Sequence, residues 1–255
     1  MKMYAGHLIV ITLLVAAPSL AQEIVPAREY QACMKLARDN PEQGFGRATS
    51  WLGLGGGDAA HHCQAVALVG LGQHSEGARR FEELAQGVRA RPSFRAELFA
   101  QAAQAWLLAG QPARAEGVLN SALGLDPENP ELFVDRAQAA AAMGAWKRAE
   151  EDLGAALDID PELVDALVFR AAARRHLGDM KNAEADAEAA LKRDPGSIEA
   201  HLENGILHRH AGRKSAARVS WLMVIQHAPS TPAARAARDY LQQMDDPERQ
   251  KSKSE

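Results

Sequence analysis

Three histidines near the carboxyl end are the strongest candidates for a metal or catalytic site: His201, His208 and His210. Neutral imidazole is a common ligand of zinc and copper and a common general base. On a helix, His201 and His208 share a face because seven residues make about two turns. His210 and Glu203 point elsewhere, and no cysteine completes the set. We therefore expect His201 and His208 to be packing residues, and a histidine-based metal-binding protein or enzyme stays as an alternative.

Two shorter clusters raise the same question. His61 and His62 precede Cys63, and the acids of residues 150–152 follow one another directly. Adjacent residues on a helix point in different directions, so these acids cannot converge on one substrate. The sequence also lacks the HExxH, GxSxG, phosphate-loop and dinucleotide-glycine motifs. It predicts a protein with no catalytic residue, no cofactor and no metal site.

The composition favours closely packed helices. The chain has 255 residues, of which 47% are hydrophobic but only 5% aromatic, so much of the apolar content is alanine. The formal net charge is −4. Since nucleic-acid binding needs a basic surface, the sequence predicts no nucleic-acid partner.

The first 21 residues resemble a secretory signal peptide. An apolar run, LIVITLLVAA, is followed by Ser19-Leu20-Ala21, which predicts cleavage after Ala21. We expect a soluble, exported and periplasmic chain that begins at Gln22 and has no further membrane span. The alternative is an uncleaved anchor.

Export determines how the two cysteines are interpreted. Cys33 and Cys63 are the only cysteines and lie 30 positions apart. An oxidising compartment favours a structural disulfide between them. Closing a loop of this length stabilises a fold by roughly 3–4 kcal/mol.

A proline recurs every 34 residues, which identifies the elements that position all these side chains. Pro127, Pro161, Pro195 and Pro229 occupy equivalent places, and an aspartate precedes the first three. Three further columns of small residues have the same period: Gly110, Gly144, Gly178 and Gly212; Ala115, Ala149, Ala183 and Ala217; Ala103, Ala137, Ala171 and Gly205.

Each column has a physical role. The glycine can take the left-handed conformation that caps a helix, the small residues let two helices approach closely, and the proline stops the second helix. Each unit is therefore a helix, a tight turn, a helix and a stop. This pattern resembles the tetratricopeptide repeat, whose period is 34. The resemblance implies an all-α fold, an α-solenoid of antiparallel helix pairs.

The units can be placed along the chain. After the signal peptide (1–21) we expect a degenerate helix pair at 22–57, a degenerate repeat at 58–95 and four regular units within 96–231. These units are 96–129, 130–163, 164–197 and 198–231. A capping helix at 232–245 and a disordered tail at 246–255 complete the prediction. Cys33 and Cys63 then lie on the first helices of neighbouring units.

The resemblance also implies a binding surface, because the first helices of such arrays line a concave groove. The groove positions are Glu97, Ala100, Gln104 and Leu107; Glu131, Val134, Gln138 and Ala141; Asp165, Val168, Ala172 and Arg175; Glu199, Leu202, Ile206 and Arg209. His176 and His210 add positive charge beside Arg175 and Arg209. The lengthwise row of Ala100, Val134, Val168 and Leu202 is apolar, and we expect it to be exposed unless a partner covers it.

These observations predict a non-catalytic scaffold or adaptor of the cell envelope. It would bind an extended or helical segment of a protein on the apolar row, with an acidic group near Arg175 and Arg209. The lysine and asparagine set with which some members of the family hold a chaperone's carboxyl terminus is absent from these positions. The other alternative is a self-associating module that buries the row against a copy of itself.

Overall fold

The structure is a computed structural model that describes residues 25–246. Within this range the chain forms thirteen α-helices and no strand. The helices are α1 (Val25–Asp39), α2 (Pro41–Gly53), α3 (Gly57–Gly70), α4 (His74–Gly87), α5 (Pro92–Leu108), α6 (Pro112–Leu125), α7 (Pro130–Ala142), α8 (Trp146–Ile159), α9 (Val164–His176), α10 (Met180–Arg193), α11 (Ile198–His210), α12 (Lys214–His227) and α13 (Pro232–Asp245). The predicted signal peptide and all but the first residue of the predicted tail lie outside the described residues. No helix in residues 25–246 combines the length and apolar character that crossing a membrane requires.

The turn inside each repeat is built on a left-handed glycine, as predicted. Gly110 and Gly144 have φ angles of 68° and 73°, and the equivalent glycines of the later units are also positive. After α5, Gly110 donates its N–H to Leu107, and Gln111 donates to Trp106, each at 2.9 Å. This pair of hydrogen bonds is a Schellman motif, which satisfies the last carbonyls of a helix.

The second helix of each unit stops just before the repeated proline. The helices α6, α8 and α10 end one residue before the aspartate of the Asp-Pro pair. Asp160 Oδ1 then accepts a hydrogen bond from the N–H of Glu162 at 2.9 Å, and Asp194 does the same for Gly196. Such turns favour aspartate, so both residues of the pair help to direct the chain into the next unit.

Polar contacts join the two helices of a unit. Arg136 on α7 donates to Asp152 on α8 at 2.6 Å, and one unit later Arg170 donates to Asp186 at 2.8 Å. Asp152 therefore belongs to a structural ion pair. Its neighbour Glu150 accepts from Arg174 of the next unit at 3.1 Å.

Helices that follow one another in sequence pack side by side, and the core runs along the array as a series of small clusters. Among the first helices, α5, α7, α9 and α11 each contact the next, whereas α3 and α5 approach less closely. The connection between α4 and α5, residues 88–91, has four residues, like the connections between the later units. Pro92 starts α5 four residues before the predicted boundary at 96, because proline suits the first turn of a helix.

The amino-terminal helix pair is tied to the array by a disulfide. Cys33 on α1 and Cys63 on α3 are bonded, with their Cα atoms 6.1 Å apart. Both cysteines are fully buried. They lie on the first helices of neighbouring units.

Candidate functional site

The first helices α3, α5, α7, α9 and α11 share one face of the array, which we call the first-helix face. The residues that the sequence assigns to a partner-binding groove fall into three groups by exposure. Exposed are Glu97, Gln104, Glu131, Asp165, His176, Glu199 and His210; half-buried are Ala100, Leu107, Gln138, Ala141, Ala172, Arg175, Leu202, Ile206 and Arg209; buried are Val134 and Val168.

The apolar row that was expected to be exposed is closed at its centre. Val134 and Val168 are each only 5% exposed, and both belong to one buried cluster. Each fills the space between its own helix and a neighbouring one, so the array itself covers these side chains. The expectation of exposure is wrong for these two valines. Ala100 and Leu202, at the ends of the row, are half-buried.

Of the two arginines expected to carry positive charge at the carboxyl-terminal end, Arg175 is neutralised within the chain. Arg175 Nε donates to Glu203 Oε1 at 2.6 Å, and the side chains are only 15% and 7% exposed. Glu203 on the next first helix therefore occupies the place beside Arg175 where an acidic group of a partner was expected. Arg209 reaches Gln243 on α13 at 3.3 Å.

An apolar pocket of about 410 Å³ opens on the first-helix face between α3 and α5. Its lining consists of Val66, Val69, Phe81, Ala100, Gln101, Gln104, Ala105, Leu108 and Asp135. The pocket forms where α3 and α5 approach less closely than the later first helices do. Leu108 is 59% exposed, so apolar surface at the mouth is open to a ligand.

Polar groups form one wall of this pocket. Gln104 on α5 donates its amide N–H to Asp135 Oδ1 on α7 at 2.6 Å. Burial raises the pKa of Asp135 to about 6, against the lowering effect of the Gln104 hydrogen bond, and the nearby charge of Glu131 adds to the increase. The wall therefore carries a carboxyl group that can change its charge near neutral pH.

A buried histidine lies beside the same pocket, and the sequence did not indicate its role. His62 is 8% exposed. Its Nδ1 lies 2.6 Å from the hydroxyl of Tyr30, and its Nε2 lies 2.9 Å from Oε1 of Gln101. Since Oε1 can only accept, Nε2 carries the proton and Nδ1 accepts from Tyr30. Burial lowers the pKa of His62, so the ring is neutral and fixes the orientation of Gln101.

A second apolar pocket, of about 170 Å³, lies between α7 and α9 on the same face. Its lining includes Ala141, Leu153, Phe169 and Trp146. The Trp146 indole stacks on His176, with ring centroids 3.8 Å apart, at one side of this pocket. Stacking on an aromatic side chain was not predicted for His176.

The remaining candidates for metal binding are used otherwise. His201 Nε2 lies 2.9 Å from the carbonyl oxygen of Pro195, and His208 Nδ1 accepts from Arg213 at 2.9 Å. His61 is exposed on α3. In the part of the chain that the structure describes, no three His, Cys, Asp or Glu side chains are grouped as metal ligands would be.

Comparison with known proteins agrees with this architecture. Residues 106–175 match the family model described as tetratricopeptide repeat. Among solved structures, TTC0263, a thermophilic TPR protein of Thermus thermophilus, superposes with a TM-score of 0.60 at 19% identity, over 72% of this chain and 99% of that chain. Residues 41 to the end of MamA from Desulfovibrio magneticus RS-1 give a TM-score of 0.55 at 18% identity, over 69% of this chain and 97% of that chain. The search of curated proteins found no significant match.

The repeat model covers units at the centre of the array, and the solved structures share the solenoid of helix pairs. The left-handed glycine turns and the Asp-Pro stops recur within and beyond the matched residues. Residues 106–175 are tetratricopeptide repeats, and the described chain continues the same array of helix pairs on both sides of them.

Proposed function

We propose that this protein is a non-catalytic scaffold that binds a segment of a partner protein on its first-helix face. The observation that carries the proposal is the apolar pocket between α3 and α5. It is concave, lined mainly by carbon, and bordered by a few fixed polar groups, which is the usual character of a binding site. The pocket receives an apolar side chain of the partner.

The polar groups at the pocket suit binding better than catalysis. The buried imidazole of His62 is held between Tyr30 and Gln101 and does not line the pocket. Asp135 lines it, but its nearest partner is the amide of Gln104, which neither donates nor accepts protons in acid–base chemistry. These side chains hold one another in place and present hydrogen-bonding groups at the mouth.

A photo-crosslinking experiment tests the proposal. A photoreactive amino acid replaces Leu108 at the mouth of the pocket or, as a control, Leu222 on α12, which is 49% exposed. We expect one or a few discrete adducts from the first position and none of the same mass from the second. Leu108→Glu should remove the partner from the purified complex, and Leu222→Glu should retain it. Equal adducts from both positions would contradict the proposal.

We propose further that the protein acts in the cell envelope after export. The apolar run before Ala21 and the disulfide between Cys33 and Cys63 both support this location. Intact mass of the protein from the periplasmic fraction should correspond to a chain that begins at Gln22. Thiol titration of that protein, unfolded without reductant, should detect no free thiol. A full-length cytosolic chain with two free thiols would refute the location.

A further inference from the structure

The two apolar pockets of the first-helix face occupy the same place in the repeat, two units apart. Six residues that line the pocket between α3 and α5 have repeat equivalents that line the pocket between α7 and α9. In three of these pairs both side chains are apolar: Val69 and Ala141, Phe81 and Leu153, and Ala105 and Ala173. The face therefore repeats an apolar site with a period of two units.

Polar bridges occupy the crossings that follow each pocket. Between α5 and α7, Gln104 donates to Asp135 at 2.6 Å. Between α9 and α11, Arg175 donates to Glu203 at 2.6 Å. Asp135 and Glu203 are equivalent positions two units apart, and Phe169 on α9 holds the same position between them. Apolar pockets and polar bridges thus alternate along the face.

Glutamine amides on this face favour an extended ligand. Gln104 uses its N–H in the bridge to Asp135, and Gln101 uses its oxygen for His62, which leaves the opposite end of each amide for a ligand. Gln138 lines the second pocket. An α-helix satisfies its own backbone, whereas an extended segment needs hydrogen-bond partners for its N–H and C=O groups.

An acidic column follows the amino-terminal ends of the first helices. It consists of Glu97, Glu131, Asp165 and Glu199, one residue in each regular unit. All four side chains are exposed, and none forms an ion pair within residues 25–246. On α5, Glu97 shares a helix face with Gln101, Gln104 and Leu108, since these lie four, seven and eleven residues later. The column therefore lies along the same face as the pockets and favours a basic ligand.

The spacing of the pockets sets the spacing of the ligand's anchors. Packed helices lie about 8–10 Å apart, so two helix-to-helix steps span about 16–20 Å. An extended chain advances about 3.3 Å per residue, which corresponds to about five or six residues. Only an even number places two side chains on the same side of an extended chain, so the spacing is about six.

We propose that the partner segment is an extended, basic stretch with two bulky apolar side chains six positions apart, one in each pocket. This proposal rests on the proposed function, because it names the chemistry of the segment that the same face binds. The lysine or arginine side chains of the segment lie toward the acidic column.

Synthetic peptides test the spacing and the charge. The probes are fluorescein-labelled peptides of serine and lysine with two leucines placed four to eight positions apart, a peptide with one leucine, and a set with glutamate in place of lysine. Fluorescence anisotropy with the full chain measures their affinities. We expect the tightest binding at a spacing of six, about tenfold or more tighter than the one-leucine peptide, because a second buried leucine adds that much. The glutamate set should bind at least tenfold more weakly at low salt, and the difference should shrink as salt is raised.

A variant in which the pocket between α7 and α9 is filled tests whether that pocket binds the second leucine. Ala172→Ile narrows the pocket between α7 and α9, and Ile206 occupies the equivalent position on α11, so the repeat accommodates the larger side chain. In this variant, the two-leucine peptide should bind no tighter than the one-leucine peptide. Ala185→Ile, at an exposed position on α10, is the control and should retain the full gain.

Each outcome distinguishes this inference from the proposed function. Affinity that ignores spacing, equal binding of the glutamate set, or no binding of any peptide overturns the inference. If the one-leucine peptide binds and Leu108→Glu abolishes that binding, the proposed function stands while the two-pocket inference falls. If crosslinking at Leu108 also yields no specific adduct, both fall.

Discussion

Replacing Asp135 with asparagine should make the protein more stable at neutral pH. Asp135 lies in the wall of the pocket between α3 and α5, and its carboxylate accepts a hydrogen bond from Gln104 at 2.6 Å. Burial disfavours the charged form and raises the pKa of this carboxyl from 3.8 to about 6. Asparagine has nearly the same shape, keeps an oxygen for Gln104 and carries no charge.

The sign and size of the effect follow from proton linkage. Because the folded-state pKa is higher than the unfolded-state value, the folded chain binds more protons between pH 4 and pH 6. Its free energy of unfolding therefore falls as pH rises through that window. A pKa difference of about 2 corresponds to about 3 kcal/mol at pH 7.5 and to less than about 1 kcal/mol at pH 4. The advantage of Asp135→Asn over the wild type should grow by about 2 kcal/mol across this range.

Urea denaturation followed by far-UV circular dichroism at several pH values between 4 and 7.5 measures this gap. Asp165→Asn is the matched control, because it removes an exposed carboxylate from the same face of the next unit. Its difference from the wild type is the reference for removing a carboxylate that is not buried. A constant gap for Asp135→Asn, or a variant less stable than the wild type at pH 7.5, would refute the reasoning that burial dominates at this site.

Three further predictions concern the array, and urea denaturation measures each. Gly144→Ala places a side chain at φ 73° and should destabilise the protein by about 1–2 kcal/mol, whereas Gly154→Ala, inside α8 and with no atom near the added carbon, should stabilise it by up to about 1 kcal/mol. Arg175→Met should cost about 3–5 kcal/mol by leaving Glu203 unpaired, and adding Glu203→Leu should restore most of the loss; a double variant as unstable as the single one contradicts this account. Cys33→Ser should lower the unfolding free energy by roughly 3–4 kcal/mol, and reductant should then have no further effect.

Much of the fold could be predicted because its signals are local and repeated. The glycine of each turn needs a left-handed backbone, and the proline of each stop ends a helix whatever surrounds it. Gly205 replaces the alanine that the other regular units carry at this position, and the structure gives the reason. A Cβ there would lie 2.2 Å from Nε1 of Trp221, so glycine makes room for the buried indole. The sequence shows that glycine replaces alanine here, but the reason is the side chain of Trp221, which lies on another helix.

The candidate site was less predictable because it depends on contacts between units. Val134 and Val168 lie on the predicted face, yet the neighbouring side chains of the array bury them. The sequence shows Arg175 as a basic residue, but in the fold it pairs with Glu203. This pair could not be predicted because the two residues are 28 positions apart along the chain. The pocket between α3 and α5 depends on a wider spacing of two helices, which the periodicity of the sequence does not encode.

At one position of the repeat, the residue type differs strongly from unit to unit. Successive first helices carry Gln101, Asp135, Phe169 and Glu203 at that position, whereas the glycine of the turn hardly varies in role. Each of these side chains faces the crossing between two first helices. Asp135 and Glu203 form polar bridges across their crossings, whereas Phe169 lines the pocket between α7 and α9. Gln101 is polar and yet lines the pocket between α3 and α5, where the two helices approach less closely. The residue at this position and the spacing of the two helices therefore determine together whether a crossing stays open, and exchanging residues at this position should change the bridges without disturbing the turns.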